Sequence, residues 1–427
     1  MRARLTGLWR HADFRRLWLA QTVSLFGSEV SALAIPVAAA LALGATPGQM
    51  GLLRAAGTAP YLALGLLAGV WVDRRRRRPV MIGADLGRAL LLGTIPAAAL
   101  LHALGLPLLF AVAPLAGTLT LCFDVAAGAY LPGLLGRDDL VEGNGKLAAS
   151  AAAAEGAGPG LAGVLVQLVT APLAIVLDVL SFLASALLLG AIRAPEPAPE
   201  PARSGRSLRR ELAEGLGAIV RDPILRATAA MSGVLNLSGG LTDALLVYYI
   251  TVTLGLPPVV IGLFFAVGSA SGLLGTLVGQ GAARRLGPGP TIVLAAGLIG
   301  VGWLTVPLAA GPPPVLVPAL VSGALLAGLG NTSYNLTVTS VRQAITPARL
   351  LGRVGASQLF VAYGALPLGA LLGGALGAWL GVREALLLAM LARLPVLLAL
   401  ALASPLPGLR SLPETADGRR RTADGGG

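Results

Sequence analysis

Gly69-Val70-Trp71-Val72-Asp73-Arg74-Arg75-Arg76-Arg77-Arg78 separates two long, largely apolar runs, residues 48–72 and 80–103. Five consecutive arginines do not sit in hydrocarbon, where each charge costs at least about 2.5–3.5 kcal/mol near the bilayer centre. Each flanking run reaches the roughly 20 residues that a membrane crossing needs. The arginine cluster is therefore read as a loop between two transmembrane helices.

The same pattern runs through the whole chain. Further apolar runs lie near 16–43, 106–133, 144–168, 171–192, 224–252, 257–283, 290–310, 314–341, 354–380 and 384–404. With the first two they make twelve expected spans. Basic residues gather after every second span: Arg74 to Arg78, Arg137 with Lys146, Arg193 to Arg226, Arg284 with Arg285, and Arg342 with Arg349 and Arg353. The alternate connections carry no Lys or Arg, apart from Arg383 beside Glu384. Positive charge marks the cytoplasmic side, so both termini are expected in the cytoplasm of a multi-pass protein of the cell membrane. The first run, Leu17 to Gly44, exceeds the about 7–15 apolar residues of a cleaved signal and reads as a retained span.

Composition agrees. Of 427 residues 55% are hydrophobic and 12% charged, against about 25% charged in soluble domains. Mean hydropathy is +0.79. The net charge of +12 is spread over topogenic clusters and forms no basic domain, so no nucleic-acid partner is expected. The lone cysteine, Cys122, allows no intramolecular disulfide and reads as a small core residue. His11 and His102 have no partners at metal-ligand spacing, so no metal site is expected. No phosphate loop is present to bind ATP. No cofactor and no catalytic constellation is expected.

The domain reading is a first six-helix bundle over 1–192, a cytoplasmic linker over 193–223, a second bundle over 224–404 and a disordered cytoplasmic tail over 405–427. Pro195, Pro197, Pro199 and Pro201 exclude a span and suggest a hinge. After Ser207, Leu208, Leu212, Leu216 and Val220 share one face of an amphipathic stretch expected along the membrane surface. The halves repeat. Gly69 to Arg75 is echoed by Gly279-Gln280-Gly281-Ala282-Ala283-Arg284-Arg285, and Met50-Gly51-Leu52 by Ile261-Gly262-Leu263. Duplicated bundles suggest alternating access.

These residues resemble the major facilitator superfamily. Gly69, Asp73, Arg74, Arg77 and Arg78 fit its loop motif Gly-x-x-x-Asp-Arg-x-Gly-Arg-Arg, with Arg76 replacing the second glycine. That departure is similar to the branch holding the enterobactin exporter and macrolide efflux proteins. So are Asp178 with Ser181-Phe182, Glu214-Gly215, Asp222 to Arg226, and Leu351 to Val354. The resemblance implies two pseudo-symmetric six-helix bundles, with the first, fourth, seventh and tenth spans lining a central cavity. It also implies that Asp73 latches the start of the eleventh span, around Gly352 to Ser357. Drug–proton antiporters carry a glycine-rich fifth-span motif. Gly145, Gly158, Pro159 and Gly163 fit it, with Ala154 and Ala162 in place of glycine. Generic small-residue packing is the alternative reading.

Ionisable residues within the spans need reasons. Glu29 lies about 20 Å up the first span at 1.5 Å per residue. A carboxyl in an apolar cavity can take up and release a proton near neutral pH, so Glu29 is the foremost candidate for proton coupling or cation recognition. A packing role, or a pair with Arg54, is the alternative. Asp124 and Glu155 are further candidates. Asp85 and Arg88 are expected to form a structural or gating pair, with Asp124 as the other partner for Arg88, and Asp178 to be structural. In the second half Asn236, Asp243, Asn331, Tyr334 and Asn335 are candidate substrate contacts; Asn331 and Asn335 share a helical face.

Taken with the resemblance, these observations suggest a secondary transporter. It would export a hydrophobic or amphipathic small molecule, such as a drug, antibiotic or siderophore, by proton antiport. Its expected partners are that substrate, protons and membrane lipids, and it is expected to act as a monomer. An importer or lipid flippase of the same fold is one alternative; a non-transport enzyme or sensor on the fold is the other.

Overall fold

The computed structural model describes residues 7–136, 139–196, 208–347 and 350–411, the side chains of 66, 70, 73, 208–212, 352 and 356 excepted. Every regular element described is helical. In chain order these are α1 (Ala12–Val37), α2 (Pro47–Asp73), α3 (Arg77–Leu100), α4 (Leu106–Leu134), α5 (Leu140–Val169), α6 (Ala171–Gly190), α7 (Leu208–Arg221), α8 (Pro223–Tyr248), α9 (Pro258–Leu286), α10 (Pro288–Leu308), α11 (Pro313–Ile345), α12 (Leu351–Leu380) and α13 (Val382–Leu402). Eleven helical stretches among the described residues are long and apolar enough to cross a membrane. The 27-residue α2 brings the membrane-length helices to the twelve expected.

Local chemistry fixes the helix ends. Thr46 and Gln49 form a capping box ahead of α2, and Pro47 occupies its first turn, where the missing N–H costs nothing. Asp222 accepts hydrogen bonds from Ile224 and Leu225 N–H at 2.8 and 2.9 Å and so caps α8. One-residue turns join α5 to α6 and α12 to α13. Gly381 makes the second with φ 98° and ψ 152°; Thr170 makes the first with φ 84° and ψ 152°. That region is almost reserved for glycine. α1 and α8 both end in a π-helical turn, Ala38–Ala42 and Tyr249–Thr253. A positive-φ glycine, Gly44 or Gly255, follows each. The backbone thus carries the internal repeat where the side chains have diverged.

The chain divides into two compact units: Met1–Ser204 with Leu246–Ala266, and Gly205–Leu245 with Val267–Gly427. This partition differs from the halves expected from the sequence, because residues 246–266 belong with the first unit. The cause is small-residue packing. A Cβ on Gly262 would stand 2.4 Å from the Pro159 carbonyl oxygen, and one on Gly163 3.0 Å from Val259 Cα. The two π-turns also touch. Elsewhere in the first unit α1 packs on α5 and α6, α3 on α4 and α6, and α2 on α4.

In the second unit α10 packs on α11 and α13, and α12 on α7 and α13. α8 and α12 run backbone to backbone: a Cβ on Gly369 would stand 1.9 Å from the Leu237 carbonyl oxygen, and one on Gly240 2.1 Å from that of Leu366. α7 docks on the start of α12. Gly215 faces the Arg353 carbonyl and Ser357, Glu214 pairs with Arg353, and Ile219 is buried with Leu225, Ala229 and Val354. The expected disordered tail begins as a packed turn. Leu406–Gly408 form a 3-10 helix, Leu406 is fully buried, and Leu409 accepts a hydrogen bond from Gly289 N–H. Residues 412–427, Arg137, Arg349, and Pro197, Pro199 and Pro201 of the expected hinge lie outside the described residues.

Candidate functional site

Glu29 sits half-buried on α1 and turns toward α5. A Cβ on Gly158 would lie 2.6 Å from both Cβ and Cγ of Glu29, so the glycine leaves room for the carboxylate's stem. Glu155, three residues before Gly158 on α5, is close enough for its charge to act on Glu29. Three of the expected motif residues therefore have definite surroundings: Gly158 receives Glu29, while Pro159 and Gly163 pack on the start of α9. A Cβ on Gly145 would meet nothing within 4 Å, so Gly145 takes no part in that packing.

Asp124 on α4 accepts a hydrogen bond of 2.7 Å from the Tyr61 hydroxyl on α2. Arg88 pairs instead with Asp85 at 2.5 Å, one turn back on α3. Both members of that pair are buried. The Arg88 guanidinium lies between two rings, 4.6 Å from the centroid of Phe123 and 4.1 Å from that of Phe182. Opposite, on α6, Asp178 is fully buried and accepts a 3.1 Å hydrogen bond from Ser181. Gly27 lets α1 cross α6 there: a Cβ would lie 2.1 Å from the Ser181 hydroxyl and 2.7 Å from Asp178 Oδ1. Asp85, Arg88 and Asp178 thus form one charged node inside the first unit, while Glu29 faces α5.

Among the described residues, hydrogen bonds join the polar candidates of the second unit into two groups, Tyr334 with Asn236 through Ser232, and Asn331 with Asn335. Tyr334 is buried, with its hydroxyl 3.1 Å from that of Ser232. Asn331 and Asn335 are exposed, and the Asn335 amide donates to the Asn331 carbonyl at 2.9 Å and side chain at 3.1 Å. Asn236 donates to the Ser232 carbonyl of its own helix at 2.8 Å. Asp243 is half-buried on α8. Arg393 on α13 is buried and donates to the Ser238 hydroxyl at 3.2 Å and the Ile299 carbonyl at 3.1 Å.

The arginine loop is held by residues the sequence did not single out. Glu196 accepts hydrogen bonds from the Arg77 and Arg78 N–H groups and caps α3. Arg78 donates to the Leu189 carbonyl at 2.8 Å and also to that of Gly190, closing the end of α6. Asp13 accepts from Arg193 and Ala194 N–H at 3.1 and 2.9 Å. The linker therefore starts pinned to the first unit. A carboxylate in a proline-rich stretch gave no periodic signal for such a cap. Arg74 is exposed, and a Cβ on Gly69 would meet nothing within 4 Å. The Asp73 side chain lies outside the described residues.

The family model described as Major Facilitator Superfamily matches residues 17–366. The chain belongs to the major facilitator superfamily. The transporter is 28% identical over 374 residues to an uncharacterized MFS-type transporter, y4rN, of Sinorhizobium fredii, covering 84% of this chain and 87% of that protein. It is 29% identical over 366 residues to the multidrug efflux pump Tap of Mycolicibacterium fortuitum, with the same coverage, 84% and 87%. Among solved structures, the nucleoside transporter NupG superposes with a TM-score of 0.73 at 12% identity, covering 92% of this chain and 98% of that one. A bacterial homologue of the iron transporter ferroportin, in its inward-facing state, superposes with a TM-score of 0.71 at 19% identity, covering 93% and 100%. These likenesses show that the transporter shares the superfamily fold.

Proposed function

We propose that this transporter exports a hydrophobic or amphipathic small molecule in exchange for protons, by alternating access. The reading rests on Glu29, a carboxylate in the membrane part of α1, fitted against Gly158 and within electrostatic reach of Glu155. A carboxylate in hydrocarbon is kept for a function such as proton relay or recognition of a cationic group. Here Glu29 is the proton carrier, and Glu155 on α5 is the second carboxylate beside it. Similarity to a multidrug efflux pump supports the outward direction and the broad substrate class. The arginine distribution supports cytoplasmic termini in the cell membrane. The protein acts as a monomer with no enzymatic step.

The test is dye efflux and drug susceptibility in an efflux-deficient host, comparing the native chain with Glu29→Gln at matched expression. The expected result is lower dye accumulation with the native chain, abolished by a protonophore and by the substitution. Full activity in Glu29→Gln would remove Glu29 from the mechanism. Accumulation unchanged by the native chain across a broad panel would overturn the multidrug reading.

A further inference from the structure

Arg393 brings a positive charge into the second unit that its neighbours do not balance. It lies at the middle of the 21-residue α13, about 15 Å from either end at 1.5 Å per residue, too deep for its side chain to reach an interface. It is 3% exposed. Arginine stays ionised at neutral pH, and an uncompensated ion in a protein interior is strongly destabilising. Among the described residues no carboxylate pairs with Arg393, and Asp243, the acid of neighbouring α8, is not among the groups acting on its charge. The first unit treats its buried arginine differently. Arg88 has Asp85 as an ion pair and the rings of Phe123 and Phe182 on its faces.

The groups that Arg393 does touch are neutral. Its guanidinium donates to Ser238 Oγ on α8 at 3.2 Å and to the Ile299 carbonyl on α10 at 3.1 Å. Ser238 gives its own proton to the Leu235 carbonyl at 3.1 Å, and Thr242, one turn on, gives its proton to the Ser238 carbonyl at 2.8 Å. These oxygens supply dipoles and no charge. The third guanidinium nitrogen, Nε, is buried and has no acceptor among the described residues. A buried donor without a partner loses its hydration and gains nothing in return. A water molecule would accept from the Nε–H group but bring no charge. The missing partner is an acceptor that carries one negative charge.

We propose that the second unit binds one small monoanion, of the class of chloride, at the Nε edge of Arg393 where α8, α10 and α13 meet. One guanidinium balances one negative charge, so a dianion would itself be left uncompensated. Arginine presents its donors in a fixed plane, and the two bonds to Ser238 and Ile299 hold that plane before the anion arrives. The occupied site ties α8 to α10 and α13. α8 is the helix that carries Asn236 and Asp243, so the anion steadies the backbone behind these candidate substrate contacts. The inference stands apart from the export reading and from Glu29.

The experiment uses the purified full-length protein in detergent, prepared without halide. Its unfolding midpoint is measured against sodium chloride, with sodium gluconate replacing it at constant ionic strength, so that the cation never changes. The expected result is a midpoint that rises with chloride and saturates, that bromide reproduces, and that sulfate does not. Arg393→Lys keeps the positive charge but has no Nε–H group; it should weaken the half-saturating concentration by about tenfold, as loss of one charge-assisted contact does. Arg393→Met should abolish the response. Should Arg393→Met fail to fold, Arg393→Lys decides. A native midpoint indifferent to chloride and bromide overturns the proposal. So does a halide response that persists unchanged in either variant, because the anion then binds elsewhere.

Discussion

Replacing Thr170 with glycine should stabilise this protein. Thr170 alone joins α5 to α6, at φ 84° and ψ 152°. Its N–H donates to the Val166 carbonyl at 3.1 Å, and its carbonyl accepts from Ala174 N–H at 3.0 Å. The two helices therefore hold it in a conformation that costs a side-chain-bearing residue about 1–3 kcal/mol. The side chain is exposed and makes no capping bond, so little packing is lost with it. Glycine returns about 0.5–1 kcal/mol to the unfolded chain as entropy. The net gain is about 1 kcal/mol, or a rise of roughly 2–4 °C in unfolding midpoint for a cooperative unit of bundle size. The assay is thermal unfolding of the purified protein in detergent, with Thr170→Ala as control. Alanine keeps the Cβ and therefore keeps the strain. An equal gain in Thr170→Ala, or no gain in Thr170→Gly, would refute the backbone argument. The reverse change, Gly381→Thr, should destabilise, because it imposes the same strain and puts a Cβ 2.5 Å from the Glu384 carboxylate.

Arg88→Met should cost about 3–5 kcal/mol by stranding buried Asp85; Asp85→Asn combined with it should recover most of the loss, and unfolding midpoints that simply add would contradict the pairing. Gly369→Ala should cost more than the roughly 1–3 kcal/mol of ordinary overpacking, since its Cβ meets a backbone carbonyl that cannot step aside. Gly239→Ala, mid-helix and with nothing within 4 Å, is the control: it should express normally and melt no lower than the native chain, with a gain of up to about 1 kcal/mol. Glu196→Ala should cost about 0.5–2 kcal/mol as a lost helix cap, measured by the same melts, and Glu196→Gln should keep part of it.

The helices and their order were legible because hydrocarbon demands long apolar runs, and because each cluster such as Arg74 to Arg78 marks a side of the membrane. The Asp85–Arg88 pair followed from one-turn spacing, yet its setting did not. Phe123 and Phe182 come from α4 and α6, and nothing local in sequence brings two rings onto one guanidinium. Glu29 stood out as an acid deep in a span, whereas its fit to Gly158 depends on how α1 and α5 cross. Tyr334 illustrates the limit of helical spacing. Sequence places it beside Asn331 and Asn335, but a rotation of one residue, about 100°, puts it in the core while they remain exposed. The grouping of residues 246–266 with the first unit rests on glycine contacts made far apart in sequence, which no periodicity records.

The cap that Glu196 places on α3 also sets a timetable. The cap lies 119 residues downstream of the Arg77 N–H it accepts from. At about 5–20 residues per second of synthesis, α3 waits roughly 6–24 s on the ribosome before its first turn is closed. During that interval the loop arginines have no carboxylate from the linker to hold them. A nascent chain stalled before Glu196 should therefore show an α3 start that is open to proteolysis, and one stalled well after it should not.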